Sequence, residues 1–156
     1  IGALVFAALA GVHVYWAFGT RGVVPAAVPT RADGTPVLSP GPLAGLVVAA
    51  LLLLAAFLVA EQGGWWPATL PAYWRTTGTA GVAAVMALRG IGDFRYVGLF
   101  KRQRGTAFAR MDTLLYTPLV LALALVAGAA DRRELARFAS DTLPALSGSV
   151  ASYPQV

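Results

Sequence analysis

The chain has 156 residues, 58% of them hydrophobic and only 12% charged, with a formal net charge of +5 and no cysteine. Soluble domains carry about 25% charged residues, and a domain this small has too little interior to hide so many apolar side chains, so the composition argues against a water-soluble globule. The absence of cysteine excludes disulfides, iron–sulfur clusters and thiolate metal sites, and the basic residues lie beside apolar runs, as topology signals do, rather than in a nucleic-acid-binding stripe.

Four segments approach the roughly 20 residues a helix needs to cross a hydrocarbon core of about 30 Å. The first is 1–18; it begins with Ile1 already inside an apolar run, so a span lacking its first turn is expected, and its length favours a spanning helix over a signal-peptide core. The second, 42–60, is the purest, with LLLL at its centre and a surface suited to lipid. The third, 76–92, carries Gly78, Gly81, Gly90 and Gly92 and is expected to be the helix most surrounded by protein. The fourth is 114–130. No alternating strand pattern is present, and backbone in lipid must bond within its own segment, so helices are the reading. Small-residue ladders at Ala3, Ala7 and Gly11, at Thr77 and Gly81, and at Ala80 and Ala84 are candidate packing faces.

The connections add detail. The loop from Arg21 to Gly41 is long and Pro-rich, and RADGTP predicts a turn around Asp33-Gly34. Between the second and third spans, Trp65, Trp66 and Trp74 are placed as aromatics favouring the membrane–water interface. The fold class is therefore all-α: a four-transmembrane-helix bundle over 1–130, with a long first loop and a C-terminal extramembrane tail over 131–156. DRRELARF predicts two amphipathic turns, followed by a small, polar, extended stretch. The first and third loops carry more Lys and Arg than the other side, which makes 19–41 and 93–113 cytoplasmic and both termini external in an inner (cytoplasmic) membrane.

RGIGDFRYVGLFKRQRGTAFARMD, between two apolar runs, concentrates the polar chemistry. Up-and-down folding brings His13, Arg89, Asp93, Arg95, Asp112 and Tyr116 to one membrane face. Arg89 and Asp93, one helical turn apart, are expected to pair, Asp112 to cap the fourth helix, and His13 to bond Asp93 or a backbone carbonyl. The cluster reads either as structural or as a ligand-binding, proton-handling pocket. Lys101, Arg102, Arg104 and Arg110 read as a headgroup-binding, topology-fixing patch. His13, beside Tyr15, Trp16 and Phe18, is also a candidate axial ligand for haem or a chlorophyll-type pigment. GIGDF is no dinucleotide fingerprint, since it follows no strand and lacks a third glycine. No closely spaced His pair suggests zinc, and no nucleophile-elbow context is present.

On HVYWA (13–17), GDFRYVG (92–98) and RMDTLLYTP (110–118), the chain resembles DUF3995, a bacterial family of small four-helix membrane proteins without assigned function. The resemblance implies four transmembrane helices and places His13, Asp93, Arg95, Asp112 and Tyr116 in the family signature. It implies no activity.

With no catalytic motif in view, the expected function is a non-catalytic accessory or structural subunit of a larger membrane complex. Loop 21–41 and tail 131–156 would contact other subunits, and bound lipids are the expected small-molecule partners; no cofactor and no nucleic acid is expected. The alternative is a membrane enzyme or binding protein for an isoprenoid, quinone or lipid that uses the His/Asp/Arg cluster. A pigment- or haem-binding subunit is third.

Overall fold

The computed structural model describes residues 1–18, 27–39, 41–65 and 67–150, with side chains beyond Ala130 described only at Arg132, Ala136 and Ser140. Its described residues are helical apart from turns and one isolated bridge between Thr30 and Pro36. Helix α1 is Gly2–Phe18, α2 is Pro42–Gln62 and α3 is Ala72–Ile91. A fourth helical run, α4, joins Ala107–Met111, a π turn over Asp112–Tyr116 and Thr117–Val150.

The boundaries follow local chemistry. Pro42 sits in the first turn of α2, where a missing N–H costs nothing. Pro71, in extended geometry, precedes α3, and Gly92 with φ 88° ends it. The fourth helix starts at Ala107, seven residues before the expected 114, because the Thr106 hydroxyl accepts from the Ala109 amide at 3.1 Å and caps it. It then runs without a break to Val150, where two amphipathic turns and an extended segment were expected. The Ala, Leu, Glu and Arg residues of 129–139 are strong helix formers, and a helix already nucleated extends readily. Residues 151–156 lie outside the described residues.

α1 packs antiparallel on α2 and α3 on α4, with α2 bridging the pairs. The first residues of α1 meet the ends of the α2 and α4 apolar segments, where a side chain at Gly2 would touch Val59 and Val126. The ends of α1 and α3 therefore share one end of the bundle with the starts of α2 and α4. The core is alanine-rich: Ala3, Phe6 and Ala10 of α1 bury against Ala49, Leu52, Ala55, Ala56, Val59 and Ala60 of α2, closed by Leu123 and Ala127 of α4. The buried stripe of α1 is thus 3, 6 and 10, while Ala7 and Gly11 face outward. The α3 ladders at Thr77 and Gly81 and at Ala80 and Ala84 do so for the most part, with all four residues exposed. Nor is α3 the most enclosed helix: it buries Thr79 and Gly90, whereas α2 buries eight residues. Glycine content marks where backbones can approach, not which helix is central, and α2 is central because both helix pairs lean on it.

Two helices, rather than four, are long and apolar enough by themselves to cross a membrane: Pro42–Gln62, with 21 residues, and Ala107–Ala130, with 24. α1 is apolar but has 17 residues. α3 has 20 but includes Arg75, three threonines and Arg89. Large apolar side chains are exposed on every helix, including Leu4 and Val14, Leu43, Val47, Leu51 and Leu54, Val85 and Leu88, and Leu114 and Leu125.

Where α3 crosses α4, Gly90 is buried and any Cβ there would collide with the Leu121 side chain. Gly81 on the same helix faces open space. Gly90→Leu is expected to destabilise the protein by about 1–3 kcal/mol through overpacking, while Gly81→Leu leaves it near wild type. Thermal unfolding of the two variants in the same detergent checks the difference.

Candidate functional site

The polar centre of the molecule is Asp112, whose side chain has no exposed surface. It lies in the first position of the π turn, in which the Thr117 amide donates to the Asp112 carbonyl, five residues back. In an α-helix, residues five apart diverge by about 140°. The wider turn brings them onto one side, so the Thr117 hydroxyl donates to Asp112 Oδ2 at 3.1 Å. Single π turns inside α-helices occur frequently at functional sites.

Three further donors converge. Arg89, on the last turn of α3, donates to Oδ1 at 3.0 Å. Lys101 Nζ and the Gly98 amide each donate to Oδ2 at 2.9 Å. Lys101 also donates to the Gly98 carbonyl at 3.1 Å and is itself 4% exposed. One carboxylate thus ties together α3, α4 and the segment between them. An ionised carboxyl offers about two acceptor positions on each oxygen; here Oδ2 takes three donors and Oδ1 one.

The segment 92–98, GDFRYVG, is a closed loop. Gly92 and Gly98 both have φ 88°, and their backbones touch so closely that a Cβ on either would overlap the other strand of the loop. Inside it, Asp93 Oδ1 accepts from the Arg95, Tyr96 and Val97 amides at 2.9, 2.7 and 2.9 Å. Partial burial opposes ionisation of Asp93, but those backbone amides outweigh it and hold the carboxyl below its ordinary range. The loop's anchorage is therefore complete at neutral pH and is lost only as the pH falls below the usual carboxylate range. The Leu99 amide bonds the Gly90 carbonyl at 2.9 Å, closing the loop onto α3. Phe94 and Phe100, both exposed, stack with ring centroids 6.0 Å apart.

These contacts revise several expectations. Arg89 pairs with Asp112, not Asp93: α3 stops at Ile91, so Asp93 is no longer one helical turn from Arg89. Asp112 caps no helix N-terminus, a task that falls to Thr106. Lys101 belongs to the buried cluster rather than to the headgroup patch, while Arg102, Arg104 and Arg110 are exposed. Arg95 lies in the 92–98 loop with its guanidinium 5.2 Å over the Tyr96 ring. Tyr116 ends the π turn with its ring 6.1 Å from Phe108.

His13 lies at the same end of the bundle, yet its described contacts are within α1. Nδ1 is 2.8 Å from the Leu9 carbonyl, which can only accept, so Nδ1 carries the proton; the ring is 5.2 Å from Trp16. The carbonyl alternative for His13 is the one observed. Trp65 and Trp74 are exposed near the other end of α2 and the start of α3; Trp66 lies outside the described residues.

The bonding of Lys101, Thr117 and Gly98 to Asp112 is not legible in the sequence, where Lys101 reads as part of the basic patch and the other two only as motif positions. Glu61 also escapes notice there. Buried at the end of α2, it accepts from the Thr69 amide and hydroxyl and from the Leu70 amide, fixing the α2–α3 connection. Gln62 beside it is buried, and neither of its side-chain polar atoms has a hydrogen-bond partner among the described residues.

Two cavities flank the Asp112 centre. One, of about 340 Å³, is lined by Gly98, Leu99, Lys101, Arg104, Thr117 and Leu121 among others, so that polar and apolar side chains share its lining. The second, of about 760 Å³, lies between the 92–104 segment and the first connecting loop. Among the described residues no three His, Cys, Asp or Glu side chains come together as a metal site would require.

Among the described residues the protein is all-helical, with two membrane-length helices and an ionic centre at Asp112. Residues 6–127 match the family described as "Protein of unknown function (DUF3995)", and the chain belongs to that family. No curated protein and no solved structure matches the chain.

Removing the carboxylate would leave Arg89 and Lys101 without their shared anion. Asp112→Ala is expected to destabilise the protein by about 3–5 kcal/mol, with Thr117→Val costing about 1 kcal/mol. Thermal melts of both variants in matched detergent measure the two losses.

Proposed function

We propose that the chain is an integral membrane protein of four crossings that serves as a non-catalytic accessory subunit of a larger membrane assembly. The observation carrying this reading is the engagement of buried Asp112 by four donors from α3, α4 and the segment between them. A carboxylate without exposed surface, committed to two cations, a backbone amide and a hydroxyl of its own chain, ties those pieces to one another, so the most conspicuous ionisable centre holds helices together. Four crossings are supported by the exposed apolar side chains on every helix, which in water would form patches far larger than soluble proteins tolerate. α1 and α3 can cross beside the two longer helices: 17 residues is at the lower limit for a span, and α3 keeps its polar groups near its ends or bonded to neighbouring backbone, as Thr77 is to Tyr73. The basic loops then face the cytoplasm of a bacterial cell across its inner membrane, and the helix beyond Ala130, with the first loop, would contact neighbouring subunits.

A second reading is favoured by the 340 Å³ cavity. A lining that combines cationic Arg104 with apolar Leu121 suits the head and first chain segment of a lipophilic molecule.

Because the chain has no native cysteine, single cysteines at Ala32, Ala68, Gly105 and Ala136 report topology without background. Ala32 and Gly105 are expected to label from the cytoplasmic side, and Ala68 and Ala136 from the other; Ala32 and Ala68 labelling from the same side would overturn the four crossings. Native mass spectrometry from lipid nanodiscs is expected to show the 16.2 kDa chain in fixed stoichiometry with other subunits. A monomer carrying one small molecule would instead establish the second reading.

A further inference from the structure

The larger cavity, of about 760 Å³, is lined by Arg31, Asp93, Arg95, Tyr96, Arg102 and Gln103, together with Ala32 and Phe94. Its walls come from two separate loops. Arg31 is presented by a tight hairpin: the Arg31 amide bonds the Thr35 carbonyl at 2.8 Å and the Val37 amide bonds the Pro29 carbonyl at 2.8 Å. Asp33 braces that hairpin by accepting from the Thr35 amide and hydroxyl at 2.9 and 2.7 Å. The opposite wall is held by the closed 92–98 loop, and the Gln103 amide bonds the Arg95 carbonyl at 2.9 Å, which sets Arg102 and Gln103 beside Arg95.

The lining brings three arginines and one carboxylate together; with Asp33, which feels the charge of Arg31 from within the same hairpin, one positive charge remains in surplus. That carboxylate, Asp93, is already engaged by three backbone amides. Among the described residues none of the three arginines lies within ion-pair distance of an acid: the two ion pairs there both belong to Asp112. The described hydrogen bonds of Arg31 go to the uncharged Thr35 hydroxyl and Pro36 carbonyl. Arginines gathered around one hollow repel one another unless an anion joins them, and the planar guanidinium fork matches phosphate oxygens.

We propose that this cavity is a binding site for a phosphate group, held by Arg31, Arg95 and Arg102 with Gln103 as an additional donor. The site lies at the end of the bundle where α1 and α3 finish, beside the exposed Phe94–Phe100 stack, so a lipid phosphodiester can reach it from the membrane surface and a free phosphate from water. The site does not depend on the accessory-subunit reading; its lipid arm needs only that the helices lie in a bilayer.

The test uses the purified full chain in phosphatidylcholine nanodiscs, with and without a minority of phosphatidylglycerol. Native mass spectrometry counts retained phosphatidylglycerol, and calorimetry follows inorganic phosphate and glycerol 1-phosphate. The expected result is preferential retention of the anionic lipid, or saturable binding of the free phosphates, weakened about tenfold or more in R31Q/R95Q/R102Q and unchanged in R132Q, which alters a basic residue outside the cavity. Retention of lipid without phosphate binding assigns the headgroup as the source; phosphate binding in pure phosphatidylcholine assigns the soluble anion. If the triple variant loses helicity by circular dichroism, Arg102→Gln alone, at an exposed side chain, is expected to weaken binding about threefold. Wild-type binding in the folded arginine variants, an equal loss in R132Q, or no binding of either kind by the wild-type chain overturns the proposal.

Discussion

A carboxylate with no exposed surface must be answered by hydrogen bonds and opposite charge, or it would not remain ionised. Asp112 meets that requirement with two cations, a hydroxyl and a backbone amide. The donors come from three pieces of chain, α3, α4 and the segment between them, so the ionic requirement becomes a geometric one. α3 must end where Arg89 can reach, the intervening segment must fold back until Gly98 and Lys101 arrive, and α4 must widen by one residue to align Thr117. The π turn and the doubled-back loop are both consequences of serving one buried acid.

The closed 92–98 loop shows how local chemistry prepares that convergence. Two glycines in a left-handed conformation permit a backbone approach that no other residue could make. Asp93 fills the loop's interior with acceptor oxygen. A segment whose shape is set this way needs little help from hydrophobic burial, which suits a position where Phe94 and Phe100 are left exposed. The same rigidity holds Arg95 and Arg102 opposite the first-loop hairpin. Structural carboxylates thereby arrange the exposed cations: Asp112 and Asp93 are satisfied within the chain, Arg89 among the partners of Asp112, while Arg95 and Arg102 are left exposed.

The helix packing follows a different rule. With an alanine-rich core, α1 and α2 approach closely and gain van der Waals contact instead of burying large side chains. The larger apolar residues are left on the outside, the reverse of a water-soluble bundle, and appropriate to a solvent of lipid chains.

The apolar runs by themselves determined that the chain is helical and where three helices begin within a few residues, because length and continuous apolarity are properties of a segment alone. The turn at Asp33-Gly34 and the importance of GDFRYVG were legible for the same reason, since turn residues act over three or four positions. What only the tertiary structure decided was partnership. Arg89 chose Asp112 over Asp93 because the helix ends at Ile91, two residues short of Asp93, which rules out a pairing within a helical turn. Lys101 left the basic patch for the interior because a carboxylate on another helix was there to receive it. Which face of α1 is buried, and why α2 rather than the glycine-rich α3 is central, depended likewise on what stood opposite. Sequence spacing describes a residue's neighbours along the chain, whereas charge pairing and packing are settled by neighbours across it.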